Sequence, residues 1–97
     1  MENNIVSEKL IYIVTWRDDN PNHSSESFIE GAYTDYDLCI DIILDDLATL
    51  YKDNDKAEIF SKIKSSIKEE LLQYDEYFDE TFYIFYEIKV NHLWTRG

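Results

Sequence analysis

A chain of 97 residues, 44% apolar and 15% aromatic, makes one domain that buries about 60–65% of its unfolded surface, which excludes wholesale disorder. Its 21 acidic and 9 basic residues give a formal charge of −12, which repels nucleic acid and anionic membranes and attracts basic protein surfaces. The single cysteine, Cys39, excludes an internal disulfide, and no apolar run reaches the length of a membrane span.

The opening stretch MENNIVSEKL has neither a basic n-region nor an apolar h-region, so no secretory signal is expected and the cytoplasm of a bacterial host is the expected compartment. Lys9 to Arg17, KLIYIVTWR, is rich in β-branched and aromatic residues and predicts a strand. Leu10, Tyr12, Val14 and Trp16 share one face and Ile11, Ile13, Thr15 and Arg17 the other, so both faces are apolar near its start. Asp18 to Ser27 holds the only proline among turn formers and predicts a loop. Phe28 to Tyr33, FIEGAY, predicts a second strand with Gly31 at a bulge.

Thr34 to Tyr51 carries the strongest helical signal. Tyr36, Cys39, Ile40, Ile43, Leu44, Leu47, Leu50 and Tyr51 fall on one face, and Thr34 with Asp37 has capping-box spacing. A second helix is predicted over about Lys56 to Tyr74, capped by Asp55 with Glu58, with the stripe Ile59, Phe60, Ile63, Ile67, Leu71 and Tyr74. Glu58 and Lys62 form a favourably oriented i, i+4 pair, and Lys52, Lys56, Lys62, Lys64 and Lys68 cluster in and just before this helix. Asp75 to Glu80 predicts an acidic turn, and Phe82 to Val90 a last strand with Phe82, Ile84, Tyr86, Ile88 and Val90 on one face. The tail holds Trp94 as a final packing anchor. The expected fold is α+β: a three-stranded antiparallel sheet with two helices on one face, in the order β-β-α-α-β.

Catalysis and metal binding find little support. Cys39 lies on the apolar helical face, where a thiol acts as a small hydrophobe, and nothing in the sequence brings His23 or His92 to it with a third, orienting group. Asp18 to His23 echoes a calcium loop, but His23 stands where Gly is required and Ile29 where the bidentate Glu belongs. The expectation is a non-enzymatic chain without cofactor or metal.

The acidic residues are the positive clue. Asp37, Asp41 and Asp45 repeat at i, i+4, where like charges oppose the helix by roughly 0.2–0.5 kcal/mol per pair. No Lys or Arg lies between Asp18 and Tyr51 in the sequence to relieve them. Each step of this ladder rises about 6 Å, comparable to the spacing of phosphates along one strand of a duplex. Asp18, Asp19, Glu26 and Glu30 of the hairpin extend it, and Glu69, Glu70, Asp75, Glu76, Asp79 and Glu80 make a second acidic block. Leu38 and Ile42 project beside the ladder, away from the main apolar stripe, in the manner of anchors inside a polar rim.

With its IYIVTW strand, EGAYT strand end, helix and closing FYIFYEIKV strand, the chain resembles short phage and bacterial proteins of unknown function with a ββαβ outline. The second helix is an addition to that outline. In overall character the chain is similar to small acidic anti-defence proteins, the anti-CRISPR and anti-restriction class. Together these readings predict an inhibitor that covers the basic nucleic-acid-binding surface of a CRISPR effector or restriction enzyme. An immunity protein or antitoxin against a basic nuclease toxin is the alternative. A third is a structural protein that homodimerises through Leu38, Ile42 or an edge strand, its charge serving solubility.

Overall fold

The computed structural model describes residues 6–20 and 26–96, and side chains within 9–20 and 26–92. The rest of the predicted loop, including Pro21 and His23, and the Trp94 side chain lie outside the described residues. Six elements follow in order: β1 (Val6–Asp18), β2 (Ser27–Tyr33), α1 (Tyr36–Asp53), α2 (Ala57–Tyr74), β3 (Glu76–Asp79) and β4 (Ile84–Arg96).

The sheet is antiparallel with spatial order β2-β1-β4-β3, four strands rather than three. The additional strand is β3, which falls inside the stretch predicted as an acidic turn and pairs Glu76 with Glu87 through to Asp79 with Ile84. Its burial alternates: Tyr77 and Asp79 face the core, while Glu76 and Phe78 face out.

β1 runs past both predicted ends, whereas β4 starts at Ile84, with Phe82 and Tyr83 in the preceding turn, and runs past Val90 to Arg96. β1 and β4 pair along their whole length, from Val6 opposite Arg96 to Asp18 opposite Ile84. β2 covers β1 only from Tyr12 to Arg17, and β3 covers β4 only from Ile84 to Glu87. Val6–Ile11 with Asn91–Arg96 therefore forms a bare two-stranded ribbon beyond the four-stranded region, in a molecule 62 Å long.

Both helices cover one face of the sheet. Val14, Tyr86 and Ile88 rise from that face to meet Cys39, Ile40, Ile43, Leu44, Leu47 and Tyr51 of α1 and Phe60, Ile67 and Leu71 of α2. The stripe predicted for α1 is the buried one, with Tyr36 and Leu50 half-buried at its margins. In α2 the stripe is narrower than predicted, since Ile59 and Tyr74 are exposed. Burying a full Leu or Ile side chain contributes about 1.5–3 kcal/mol, so these apolar contacts dominate the stability of the fold.

The caps differ from those predicted. Asp35, not Thr34, is the N-cap of α1; its carboxylate accepts from the N–H groups of Asp37 and Leu38. Asp55 does not cap α2, which starts after Lys56 without a side-chain cap. Asp55 instead adopts a left-handed conformation (φ 59°) in the connecting turn.

Candidate functional site

The acidic residues fall into three environments. In the first they are enclosed. Asp79, predicted within an outward-facing acidic block, is fully buried. Its carboxylate accepts from Tyr51 Oη at 2.7 Å, Tyr77 Oη at 3.4 Å and the Phe82 N–H at 3.0 Å, which fixes the β3–β4 turn to α1. The Tyr77 hydroxyl is raised above its ordinary range, by burial first and then by the Asp79 charge. Asp75, in a left-handed conformation, ends α2 and accepts from Tyr36 Oη. These two residues of the block are part of the framework. Glu69, Glu70, Glu76 and Glu80 remain exposed.

The second environment is the flank of α1 toward α2. Asp37, Asp41 and Asp45 are all exposed there. Asp37 and Asp41 border a shallow hollow with Lys68 and Leu72 of α2, so one cation that is remote in sequence stands near the ladder. No ion pair within 4 Å joins the ladder to any described residue; the pairs between described residues are Arg17–Asp19 and Glu87–Lys89. Leu38, 43% exposed, lies beside this row, and Ile42 is half-buried.

The third environment was not foreseen. β2 carries one extra residue between Gly31, opposite Val14, and Ile29, opposite Thr15. That residue is Glu30, so the bulge sits beside Gly31 rather than on it. Gly31 has another role, since a Cβ there would meet the outer end of the Tyr33 ring, which would have to turn aside. The bulge brings Glu30 to the other flank of α1, where it lines one cleft with Asp46. Asp45 and Asp46 are adjacent in sequence but roughly 100° apart around the helix, and so belong to different surfaces.

Glu30 and Asp46 line an open cleft of about 300 Å³ together with Trp16, Thr49, Leu50, Asp53, Ile84 and Tyr86. Asp46 has its pKa raised to about 6, by burial first, then by the hydrogen bond with Glu30 and the charges of Glu30 and Asp45. Asp46 thus keeps its proton to a higher pH than an ordinary carboxyl group and changes state near pH 6. Trp16 forms a wall and stacks on Phe28 at 4.6 Å between ring centroids.

Of the other hairpin acids, Asp19 is held by Arg17, whose guanidinium lies 4.7 Å from the centre of the Phe85 ring on the sheet face opposite the helices. Asp18 accepts from the Asn20 N–H, and Glu26 is exposed. The hairpin acids and the Asp ladder therefore do not form one continuous strip: Glu30 joins Asp46 and Asp53, not Asp37 and Asp41. Sequence reasoning passed over Asp46 and Asp53, although their angular positions at the margin of the apolar stripe, beside Ile43 and Leu50, were available.

Cys39 is fully buried, and its thiol donates to the Asp35 carbonyl at 3.4 Å. Burial, then the Asp35 charge, pushes the thiol upward, away from the reactive thiolate form. Among the described residues no group of three His, Cys, Asp or Glu side chains is placed to hold a metal ion, and no helix is long and apolar enough to cross a membrane. No family model, no curated protein and no solved structure matches the chain.

Proposed function

We propose that the protein is a non-enzymatic inhibitor whose acidic surface occupies the basic nucleic-acid-binding surface of another protein, in the manner of phage-type inhibitors of CRISPR effectors or restriction enzymes. One observation carries this reading: α1 presents carboxylates on two flanks, with no ion pair within 4 Å on either to neutralise them among the described residues. A charge arrangement that opposes its own helix is retained at a cost in stability, and a basic partner relieves it. Arginine and lysine side chains that otherwise hold phosphates would pair with these carboxylates, with Leu38 as an apolar anchor at the centre.

The test is competition. The purified protein is titrated into a labelled duplex bound to a candidate effector, at low and then moderate salt. Displacement that weakens steeply with ionic strength, and that the Asp37→Asn/Asp41→Asn/Asp45→Asn variant loses while its circular dichroism is unchanged, supports the reading. Displacement by the variant at full strength would remove the ladder from the mechanism.

The uncovered sheet face favours a second reading. Ile11, Ile13, Ile29, Phe78 and Phe85 lie on the side opposite both helices, with Ile29 73% exposed. Burial of that face between two copies would make the protein a self-assembling structural one, and a dimer by sedimentation that persists in high salt would favour it.

A further inference from the structure

The cleft between α1 and the β2 bulge contains a feature that charge does not explain. Tyr86 is only 4% exposed, and it lines the cleft. Tyrosine hydroxyls buried to this degree are almost always hydrogen-bonded. Tyr36, Tyr51 and Tyr77 each donate to an aspartate here. The Tyr86 hydroxyl has no hydrogen-bond partner among the described residues. It remains protonated, raised by burial first and then by Asp46, Glu30 and Asp79. A buried polar group without a partner, in the wall of an open cleft, is a binding group awaiting its ligand.

The surroundings define that ligand. Glu30, Asp46 and Asp53 supply negative charge, and no cationic side chain is among the lining residues. The three carboxylates are not grouped to hold a metal ion, so the charge they await is spread over a larger group. Trp16 and Ile84 supply flat apolar walls, and a volume of about 300 Å³ lies at the small end of ligand sites, suited to one side chain. A planar cation with several N–H donors satisfies every element at once. It stacks on the indole, forks onto the Glu30–Asp46 pair and donates to Tyr86 Oη. A lysine ammonium reaches the carboxylates but neither stacks nor forks.

We propose that this cleft is a receptor for an arginine side chain of a basic protein partner. The proposal rests on the reading of the protein as a binder of basic surfaces, and adds a specific pocket to it. Below about pH 6 Asp46 holds a proton that an entering guanidinium displaces to solvent, so binding is proton-linked. The titratable groups facing Asp46 are Glu30 from β2, Tyr86 from β4, and Asp45 and Asp53 from α1. All of them are acidic, and Trp16 from β1 is neutral. The sign is therefore fixed: the cleft binds cations better as pH rises through about 6.

The test is a heteronuclear NMR titration of the full chain with N-acetylarginine methylamide, and with the neutral citrulline analogue, near pH 7.5. Saturable shifts at the Trp16 indole N–H and the Glu30 and Asp46 amides, absent with the citrulline analogue, are expected. The Glu30→Gln/Asp46→Asn variant should weaken binding about tenfold, and a pH near 5 several-fold, whereas ordinary carboxylates titrate below this range. Tyr86→Phe should weaken it about threefold with the fold retained, and decides the matter if the double variant does not fold. The Asp37→Asn/Asp41→Asn/Asp45→Asn variant should bind the arginine probe normally. Equal shifts with the citrulline analogue, no saturation, or dependence on the Asp ladder rather than the cleft would each overturn the proposal. Competition for the nucleic-acid surface that succeeds while the cleft ignores arginine would sink the pocket and leave the functional reading standing. An arginine-specific cleft without competition would do the reverse.

Discussion

The two flanks of α1 carry similar charge and differ in nearly everything else. Toward α2, Asp37, Asp41 and Asp45 form a row open to water. Toward the hairpin, Asp46 is half-buried beside a second carboxyl group, aromatic walls and the Tyr86 hydroxyl, which has no hydrogen-bond partner among the described residues. Asp45 and Asp46, neighbours in the chain, belong to different physical worlds. Charge alone attracts partners at long range without selecting among them, whereas a shaped cleft with fixed donors and acceptors selects. Net charge describes one flank adequately and misdescribes the other.

The strongest way to sharpen this contrast is to take enclosure to its limit. Asp79→Ala removes a fully buried acceptor and strands the Tyr51 hydroxyl and the Phe82 N–H. The expected loss is about 3 kcal/mol or more, a fall in Tm on the order of 15 °C by calorimetry.

Asp46→Asn is the next test. The folded-state pKa of Asp46 is raised above the unfolded carboxylate value, so its contribution is fully present below about pH 4 and is lost as pH rises through about 6. Asparagine mimics the protonated form and keeps a donor for Glu30. After a discount for its partly solvated setting, the variant should be about 1–2 kcal/mol more stable than the parent at pH 7.5 and equal to it near pH 4. Urea midpoints across that range check it. A gain independent of pH would break the contrast between the flanks.

Tyr86→Phe keeps the buried ring and deletes the stranded hydroxyl, so stability in the absence of any ligand should rise by about 1 kcal/mol. A loss of similar size would mean that the hydroxyl is already satisfied.

The smallest effect belongs to the open flank. Asp41→Asn/Asp45→Asn relieves two like-charge pairs while leaving Asp37 at the positive end of the helix. A gain of about 0.5 kcal/mol is expected, shrinking as salt is added, by chemical denaturation at two ionic strengths.

Periodicity made the helices and central strands legible, because the apolar residues that define it are the residues that pack. Ile40, Ile43, Leu44 and Leu47 read as one face and are buried as one. β3 was illegible for a related reason. In DEYFDE the inward positions are Tyr77 and Asp79, and a carboxylate is a poor marker of a core until its partner is known. That partner, the Tyr51 hydroxyl, is contributed by a helix 28 residues earlier. The cap shifted from Thr34 to Asp35 because both residue types cap well, and the backbone turn, not composition, selects between them. The cleft was hidden because it depends on one surplus residue in β2. The adjacent Gly31 hinted at the bulge but not at which side chain it would redirect. No local pattern reports that Glu30 and Asp46 meet.

The long pairing of β1 with β4 has a consequence for how the protein is made. β1 occupies the middle of the sheet, yet its most extensive partner, β4, is synthesised after all the other described elements, with Val6 opposite Arg96. Until then β1 has only the short β2 beside it, and one edge stays open. The helices close on local contacts, but the sheet waits for β1 and β4 to find each other across everything between them. Such non-local closure slows folding and leaves an unpaired strand edge on the nascent chain. The net negative charge of the chain keeps these waiting chains apart from one another.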